Sequence, residues 1–327
     1  MLFRTFHSYQ KEIFTMMIPW ITLWGYGSDI NAAGKMLFVR NKKSKSPDCY
    51  PLDDISHILI AGNHVLHTAV IEKCASKNIP ISFFDIRGNP TGTLFSHEKP
   101  HLTELQRDIP IHSFALSMII SATEARMRFL HDLSEGKEGI YYKGEFDIMS
   151  QTRSELDYLI TIPELSRAFT LTRDMYYEIL SRVIPKNLGF RRRNEGIPQD
   201  PVNLLFSIGY AMLYARTEIA CIGVGLNPDI GSLYGLGIPC SRGACVREIM
   251  EPALVPVVDK VVVKIAQEGI LSNAIQSGER YILPETVENR FKELFSKALD
   301  AAKIEENVIM YAEAVKAQTA PRYHYPL

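Results

Sequence analysis

Two glutamates that stand three residues apart are the clearest candidates for chemistry in this sequence. Glu248 and Glu251 belong to the segment REIMEP. Residues at this spacing share one face of a helix, so both carboxylates could reach one hard cation such as Mg²⁺ or Mn²⁺. Such an ion polarises a phosphoryl oxygen and activates water or a 3′-hydroxyl for phosphoryl transfer. The same spacing is commonplace on solvated helix faces, and Pro252 disfavours helix at Glu251 unless a helix starts there.

A glycine-rich segment, GLNPDIGSLYG, occupies residues 225–235 just before these glutamates. Glycines and an Asn-Pro pair between two apolar runs are typical of a turn. The pattern therefore predicts a loop that brings the end of one helix close to Glu248 and Glu251. Tyr234 stands near the end of this loop.

A basic cluster lies between two apolar segments in the second half of the chain. Its members are Arg182, Lys186, Arg191, Arg192 and Arg193, and no acidic residue separates them. The planar guanidinium of arginine donates parallel hydrogen bonds that suit phosphate. The cluster is therefore a candidate DNA-binding surface, and the alternative interpretation is a solvated loop between helices.

The composition limits the class of protein. With 327 residues and 46% apolar residues the chain can form two domains, and a net charge of −1 means that DNA binding would need a local basic patch. Five scattered cysteines argue against a disulfide framework and favour a reducing cytoplasm. We find neither a membrane span nor a signal peptide, and expect a soluble, cytoplasmic protein. No histidine lies between Asp132 and Tyr323, which disfavours a Ser-His-Asp site there.

Short runs rich in β-branched and aromatic residues predict strands in the first part of the chain. These runs lie at 21–24, 36–39, 58–60 and 81–84, and helical spacing predicts one helix at about 64–77. We therefore expect a small β domain over residues 16–95, made of β-sandwich-like sheets with one helix. Residues 1–15 would form an N-terminal extension.

From about residue 111 onward, apolar residues recur at the spacing of three and four that predicts helices. The expected helices lie at 113–133, 154–180, 201–221, 249–268 and 285–317. Asp200 is a natural N-cap, and Pro201 suits the first helical position. With a linker at 96–110 and a larger all-α domain over 111–327, the predicted fold class is α+β.

The order of several segments resembles the CRISPR-associated integrase/endonuclease family, the catalytic component of the spacer-acquisition complex. In the first half the similar segments are LWGYGSDI, PLDDISHILIAG and IPISFFDIRGNPTGTL. In the helical half they are RRRNEGIPQDPVNLLFSIGYAML, GLNPDIGSLYG and REIMEPALVPVVD. The similar segments extend over residues 18–300, and the ordered set is more specific than any single segment.

The resemblance implies a β domain that forms a homodimer and a helical domain that binds DNA and holds a divalent-metal nuclease site. The implied cofactor is Mg²⁺ or Mn²⁺, and the implied partners are protospacer and repeat DNA, duplex or branched, and a small ferredoxin-like protein. The implied chemistry is insertion of new spacers, in which a DNA 3′-hydroxyl attacks a phosphodiester of the CRISPR repeat. The DNA-binding interpretation of Arg191, Arg192 and Arg193 gains support from this resemblance.

The resemblance also shows where this sequence departs from the family pattern. Glu251, preceded by Glu248, matches the acidic pair of the family. Tyr234 stands where the loop of the family ends in a histidine. A phenol with a pKa of about 10 is a much poorer ligand for Mn²⁺ than a neutral imidazole.

A second departure concerns the helix that carries the glutamate of the family. Aligned on Arg173, that glutamate is expected at Ala168 or Phe169, and neither side chain binds metal. Glu164, about one turn earlier, could substitute.

The candidate catalytic residues are thus Glu251, Glu248 and Tyr234, and the candidate metal ligands are Glu251, Glu248 and Glu164. Three hypotheses remain: an active metal-dependent integrase, a family member with impaired chemistry that binds DNA or assembles complexes, and an unrelated interaction protein.

Overall fold

The computed structural model describes residues 20–40, 46–55, 57–84, 90–94, 102–135, 140–194, 198–277 and 280–325. The chain forms two compact units, Met1–His101 and Leu102–Leu327. The expected N-terminal extension, residues 1–15, lies outside the described residues, as does the part of the expected linker at 96–101. The rest of that linker contains a short helix, Thr103–Arg107.

The first unit is built on one mixed sheet. Its strands, in chain order, are β1 (Trp20–Ala33), β2 (Met36–Arg40), β3 (Asp48–Pro51), β4 (His57–Leu66), β5 (Ile81–Phe84) and β6 (Pro90–Leu94), and they lie in the order β3-β2-β1-β4-β5-β6. β1, β4 and β5 are parallel neighbours, whereas the other pairs are antiparallel. Helix α1 (Thr68–Ser76) forms the crossover between β4 and β5 that a parallel pair requires.

All six strands belong to one hydrogen-bonded sheet, so the expectation of sandwich-like sheets is corrected. The reason is β1, whose 14 residues pair with β2 on one side and β4 on the other. Alternating residues of the strands, such as Ile58 and Ile60, pack with Val70 and Cys74 of α1 in one core.

The second unit is mostly helical, which together with the sheet confirms the predicted α+β fold class. Its helices are α2 (Thr103–Arg107), α3 (Ile111–Ser134), α4 (Lys143–Glu155), α5 (Ile162–Val183), α6 (Pro201–Gly223), α7 (Ala244–Met250), α8 (Lys260–Gln267), α9 (Glu285–Ala302) and α10 (Ile304–Ala317). A small hairpin of β7 (Ile275–Ser277) and β8 (Arg280–Ile282) lies between α8 and α9. Among the described residues, no helix is both long and apolar enough to cross a membrane.

Local sequence signals explain where these helices begin and end. The helix predicted at 201–221 is confirmed, because the Asp200 carboxylate accepts the N–H of Asn203 at 2.7 Å as an N-cap. The helix predicted at 154–180 is instead two, because Thr161 caps a new helix with Pro163 in its first turn. The helix predicted at 285–317 also breaks in two, at Lys303, whose φ is 48°.

The segment predicted as one helix over 249–268 changes its winding after α7. A 3₁₀ turn, Glu251–Ala253, and a π turn, Val255–Asp259, precede α8. Prolines inside this segment cannot donate the backbone hydrogen bonds of a regular α-helix, which accounts for the irregular winding. The buried Asp259 carboxylate then accepts the hydroxyls of Tyr176 at 2.8 Å and Tyr210 at 2.6 Å, which bonds this turn to α5 and α6.

Candidate functional site

The glycine-rich loop at 225–235 is held in place by hydrogen bonds to α2 and to the residue before α7. The Gln106 amide of α2 accepts the N–H of Asn227 at 2.6 Å and donates to its carbonyl at 3.1 Å. The Asp229 carboxylate accepts the N–H of Gly243, just before α7, at 2.6 Å. The loop therefore has one defined path between α6 and α7, as the turn chemistry predicted.

Glu248 organises the end of this loop. One of its carboxylate oxygens, Oε1, accepts the backbone N–H groups of Ser232 at 2.6 Å, Leu233 at 2.6 Å and Tyr234 at 3.0 Å. The other oxygen accepts the Ser232 hydroxyl at 2.8 Å. Burial raises the pKa of Glu248 to about 7, against the opposing effect of these hydrogen bonds. The geometry thus assigns Glu248 a role in shaping the loop that presents Tyr234.

Glu251 lies at the junction of three elements and is 5% exposed. Its Oε1 forms an ion pair with Arg126 of α3, which is 1% exposed. Its Oε2 accepts the hydroxyl of Tyr234 at 2.9 Å. Burial and the adjacent Glu251 raise the pKa of Tyr234 well above its ordinary value, so this side chain is a neutral phenol that donates a hydrogen bond. Both oxygens of Glu251 are therefore bound to groups of the chain itself.

Arg126 also contacts α5. Its guanidinium carbon lies 5.1 Å from the ring centre of Phe169 and 5.8 Å from that of Tyr176. Aromatic faces attract a cation at such distances. Burial alone would lower the pKa of Arg126, but Glu251, together with Tyr177 and Asp259, raises that pKa above the ordinary value. The guanidinium is accordingly charged.

The structure thus brings together three of the positions that the sequence interpretation aligned with metal ligands. Phe169 contacts Arg126, Tyr234 donates to Glu251, and Glu251 is paired with Arg126. Arg173 adds a second positive charge nearby: burial opposes its charge, but Glu251 and Tyr234 raise its pKa above the ordinary value.

Glu164 does not serve as the missing carboxylate. Its Oε2 accepts the N–H of Thr161 at 2.9 Å and the hydroxyl of Thr161 at 2.8 Å, which forms a capping box at the start of α5. This use is a helix cap at the first turn, and these bonds lower the pKa of Glu164.

The residues at this junction do not fit Mg²⁺ or Mn²⁺. A hard divalent ion needs several free oxygen ligands, but the Glu251 oxygens bind Arg126 and Tyr234, and Glu248 binds the loop. In the described part of the chain, no three His, Cys, Asp or Glu side chains converge as a metal site would require.

Arg126 is the central residue that the sequence interpretation missed. It lies on the buried face of α3, with Ala122 one turn before it and Phe129 and Leu130 one turn after it. A charged residue at such a position in an apolar stripe signals a buried partner, because an unpaired buried charge is very costly. This signal was available in the sequence.

The basic cluster separates into structural and exposed members. Arg182 binds Glu145 at 2.5 Å and the carbonyl of Ile140 at 3.2 Å. Arg193 binds Asn203 Oδ1 at 3.1 Å and Ser207 Oγ at 3.2 Å, and its guanidinium carbon lies 5.2 Å from the ring centre of Tyr210.

The other three members of the basic cluster are accessible to a ligand. Arg191, Arg192 and Lys186 are all exposed. These three residues are therefore the members of the cluster that could reach DNA phosphates.

Glu218 of α6 is a buried acid that the sequence interpretation did not consider. Its Oε1 accepts the Tyr214 hydroxyl at 3.5 Å, and its Oε2 has no hydrogen-bond partner among the described residues. Burial raises the pKa of Glu218 to about 7, with the charge of Arg242 opposing the rise and that of Asp229 adding to it.

Comparison with known proteins shows which family the chain is similar to. The sequence profile described as "CRISPR associated protein Cas1" matches residues 21–297. The chain belongs to the Cas1 family. A Cas1 protein of Methanospirillum hungatei is 30% identical over 303 residues, which cover 90% of this chain and 97% of that protein.

Solved structures agree on the fold. A casposase bound to its integration product has a TM-score of 0.68 at 20% identity, covering 93% of this chain and 99% of that one. A chain of a Cas6-RT-Cas1–Cas2 complex has a TM-score of 0.69 at 16% identity, and the match covers 97% of this chain but 37% of that chain. At these identities the likeness shows the Cas1 fold alone. The family resemblance recognised in the sequence is confirmed.

Proposed function

We propose that this Cas1-family chain acts in CRISPR adaptation as a DNA-binding and assembly subunit that does not itself perform metal-dependent strand transfer. The observation that supports this most directly is that both carboxylate oxygens of Glu251 are bound by other groups of the chain. Its buried carboxylate is paired with Arg126 on one oxygen and hydrogen-bonded to Tyr234 on the other. A carboxylate held in this way has both oxygens engaged by donors of the chain, one of them cationic, which disfavours a divalent ion beside it.

The proposed ligand is DNA, duplex or branched, with protospacer or repeat sequence. Arg191 and Arg192 would supply phosphate contacts, since both are exposed, and Lys186 could extend the surface. Arg182 and Arg193 would position this segment through their own contacts with the protein. The casposase of the same fold, solved with an integration product, is consistent with a nucleic-acid ligand.

The proposed partners are a second copy of the chain, through the sheet unit, and a small ferredoxin-like protein, acting together in the cytoplasm. The similarity to a chain of a complex that contains Cas2 is the support for an assembled state. These partners follow the family resemblance, and size measurement on the protein mixed with such a partner would test them.

A second candidate is the active integrase/endonuclease, which would insert spacers by attack of a 3′-hydroxyl on repeat DNA with Mg²⁺ or Mn²⁺. Family membership and the fold shared with a casposase favour this activity. In that case Glu251, Glu248 and Tyr234 would belong to the catalytic centre, and Glu251 would have to release Arg126 before the reaction.

A strand-transfer assay decides between the two functions. The purified chain would be incubated with branched DNA and repeat duplex in Mn²⁺ or Mg²⁺, with EDTA as the control. We expect no cleaved or joined product above the EDTA control. A product that requires the metal and is lost in Glu251→Gln would establish the second candidate instead.

DNA binding is tested separately by fluorescence anisotropy over a series of salt concentrations. Arg191→Ala/Arg192→Ala should lower the slope of log K against log [salt] by about 1.8, since each lost phosphate contact contributes about 0.9. The control is Lys297→Ala/Lys316→Ala, which removes the same charge from α9 and α10. Equal slopes for the wild type and the arginine variant would exclude this surface.

A further inference from the structure

The guanidinium of Arg126 is unusual in having donors that no acceptor satisfies. Its Nη2 binds Glu251, but its Nε and Nη1 have no hydrogen-bond partner among the described residues. The side chain is 1% exposed. Buried N–H groups of a cation normally find acceptors, so these two donors are free to bind an acceptor that the described residues do not provide.

The ring of Phe169 lies 5.1 Å from this guanidinium, where a carboxylate could reach the free donors. Glu251 is the carboxylate paired with this guanidinium, and Tyr234 donates to Glu251 as a neutral phenol. The pair of Arg126 and Glu251 carries no net charge, and Arg173 adds a positive charge nearby. The sequence interpretation, in contrast, expected a second carboxylate at 168 or 169, and the residues there, Ala168 and Phe169, carry none.

We propose that the charged side chain of Arg126 is the cation of this junction and excludes divalent ions from it. This exclusion acts in addition to the absence of the expected metal ligands. The inference rests on the proposed function and deepens it. Restoring the expected ligands at 169 and 234 would then be insufficient, because a new carboxylate beside Phe169 would be bound by the free Nε–H and Nη1–H of Arg126. Arg173 would repel a divalent ion further, since its charge also faces Glu251.

The test compares Mn²⁺ binding by the full chain in two variants, Phe169→Glu/Tyr234→His and the same pair with Arg126→Met. Methionine is unbranched and fills much of the same volume without a charge. Binding is measured by isothermal titration calorimetry and by the shift of the thermal midpoint. We expect no Mn²⁺ binding by the wild type, and an affinity for Mn²⁺ at least about tenfold higher in the triple variant than in the double variant.

Equal Mn²⁺ affinity in the double and triple variants would overturn the inference. It would leave the proposed function intact, since that function is tested by strand transfer in the wild type. A triple variant that folds, as judged by cooperative unfolding, but binds no Mn²⁺ would likewise overturn the inference.

A second arm covers the case in which the triple variant does not fold. Arg126→Ala deletes a fragment equivalent to ethylguanidinium, so this small cation should bind beside Glu251. At ten times its dissociation constant it should raise the thermal midpoint of Arg126→Ala by about 3–6 °C and leave the wild type unchanged. Ethylammonium at the same concentration is the control for charge without the planar fork. No rise with ethylguanidinium, or an equal rise with Mn²⁺, would overturn the inference.

Discussion

Replacing Glu248 with alanine removes the acceptor that holds the end of the glycine-rich loop. Three backbone N–H groups, from Ser232, Leu233 and Tyr234, point at its Oε1 within 3.0 Å. Each buried donor left without an acceptor costs about 1–3 kcal/mol. Water entering the space would satisfy some of these donors, so we expect the free energy of unfolding to fall by about 3–5 kcal/mol.

Glu248→Gln provides the matched comparison. Its amide oxygen can accept the three N–H groups, and its amide nitrogen can donate to the Ser232 hydroxyl, which also accepts. We therefore expect the glutamine variant to remain within about 1 kcal/mol of the wild type. Glu313→Ala, at an exposed ion pair with Lys316, is the control for loss of a surface glutamate and should change stability by less than about 1 kcal/mol.

Urea unfolding followed by ellipticity at 222 nm measures these differences in the helical unit. Tryptophan fluorescence would be the wrong probe, because the two tryptophans, Trp20 and Trp24, belong to β1 of the sheet unit. If Glu248→Ala unfolds at the same urea concentration as the wild type, or if Glu248→Gln is as unstable as Glu248→Ala, the loop-holding role is refuted. A metal-ligand role would predict instead that Mn²⁺ stabilises only the wild type.

Three further results are expected. Gly231→Ala should lower the free energy of unfolding by about 1–3 kcal/mol, because its Cβ would lie 2.5 Å from Glu248 Oε1; Gly144→Ala, with open space around it, should not. Burial raises the pKa of Glu218 to about 7 from an ordinary 4.5, so the wild type loses stability as the pH rises from 4.5 through 7 and the folded protein has to bury the charged form. The free energy of unfolding of Glu218→Gln, from thermal unfolding, should exceed that of the wild type by about 2–3 kcal/mol at pH 8 and match it near pH 4.5. Arg193→Ala should lower the thermal midpoint without changing the salt slope of DNA binding, and a changed slope would contradict its structural role.

The sequence predicted the elements well where local pattern decides them. The strands at 21–24 and 81–84 lie within β1 and β5, and α6 begins at Pro201 as its N-cap indicated. The breaks inside the longer predicted helices were missed. At Thr161 two local signals compete. The apolar spacing favours one long helix, but the cap at Thr161 starts a new one.

The candidate site was predicted in part. Tyr234 and Glu251 were singled out from sequence, and they are hydrogen-bonded in the structure. The different roles of Glu248 and Glu251 could not be separated, because spacing alone does not show which backbone groups a carboxylate accepts. Arg126 is 125 residues from Glu251 in the chain, so only the packing of α3 against the turn after α7 reveals that they form a pair.

The pairing of Arg126 with Glu251 also limits how this junction can change over generations. Arg126→Met alone leaves a buried carboxylate without its partner, a loss of about 3–5 kcal/mol. Tyr234→His alone removes the phenol hydrogen bond to Glu251, and Phe169→Glu alone gives a carboxylate that the guanidinium neutralises. No single substitution among these restores a divalent-ion site, and two of them lower stability first. On the proposed function, a divalent-ion site at this junction therefore requires more than one of these substitutions, and two of the three lower stability when they are made first.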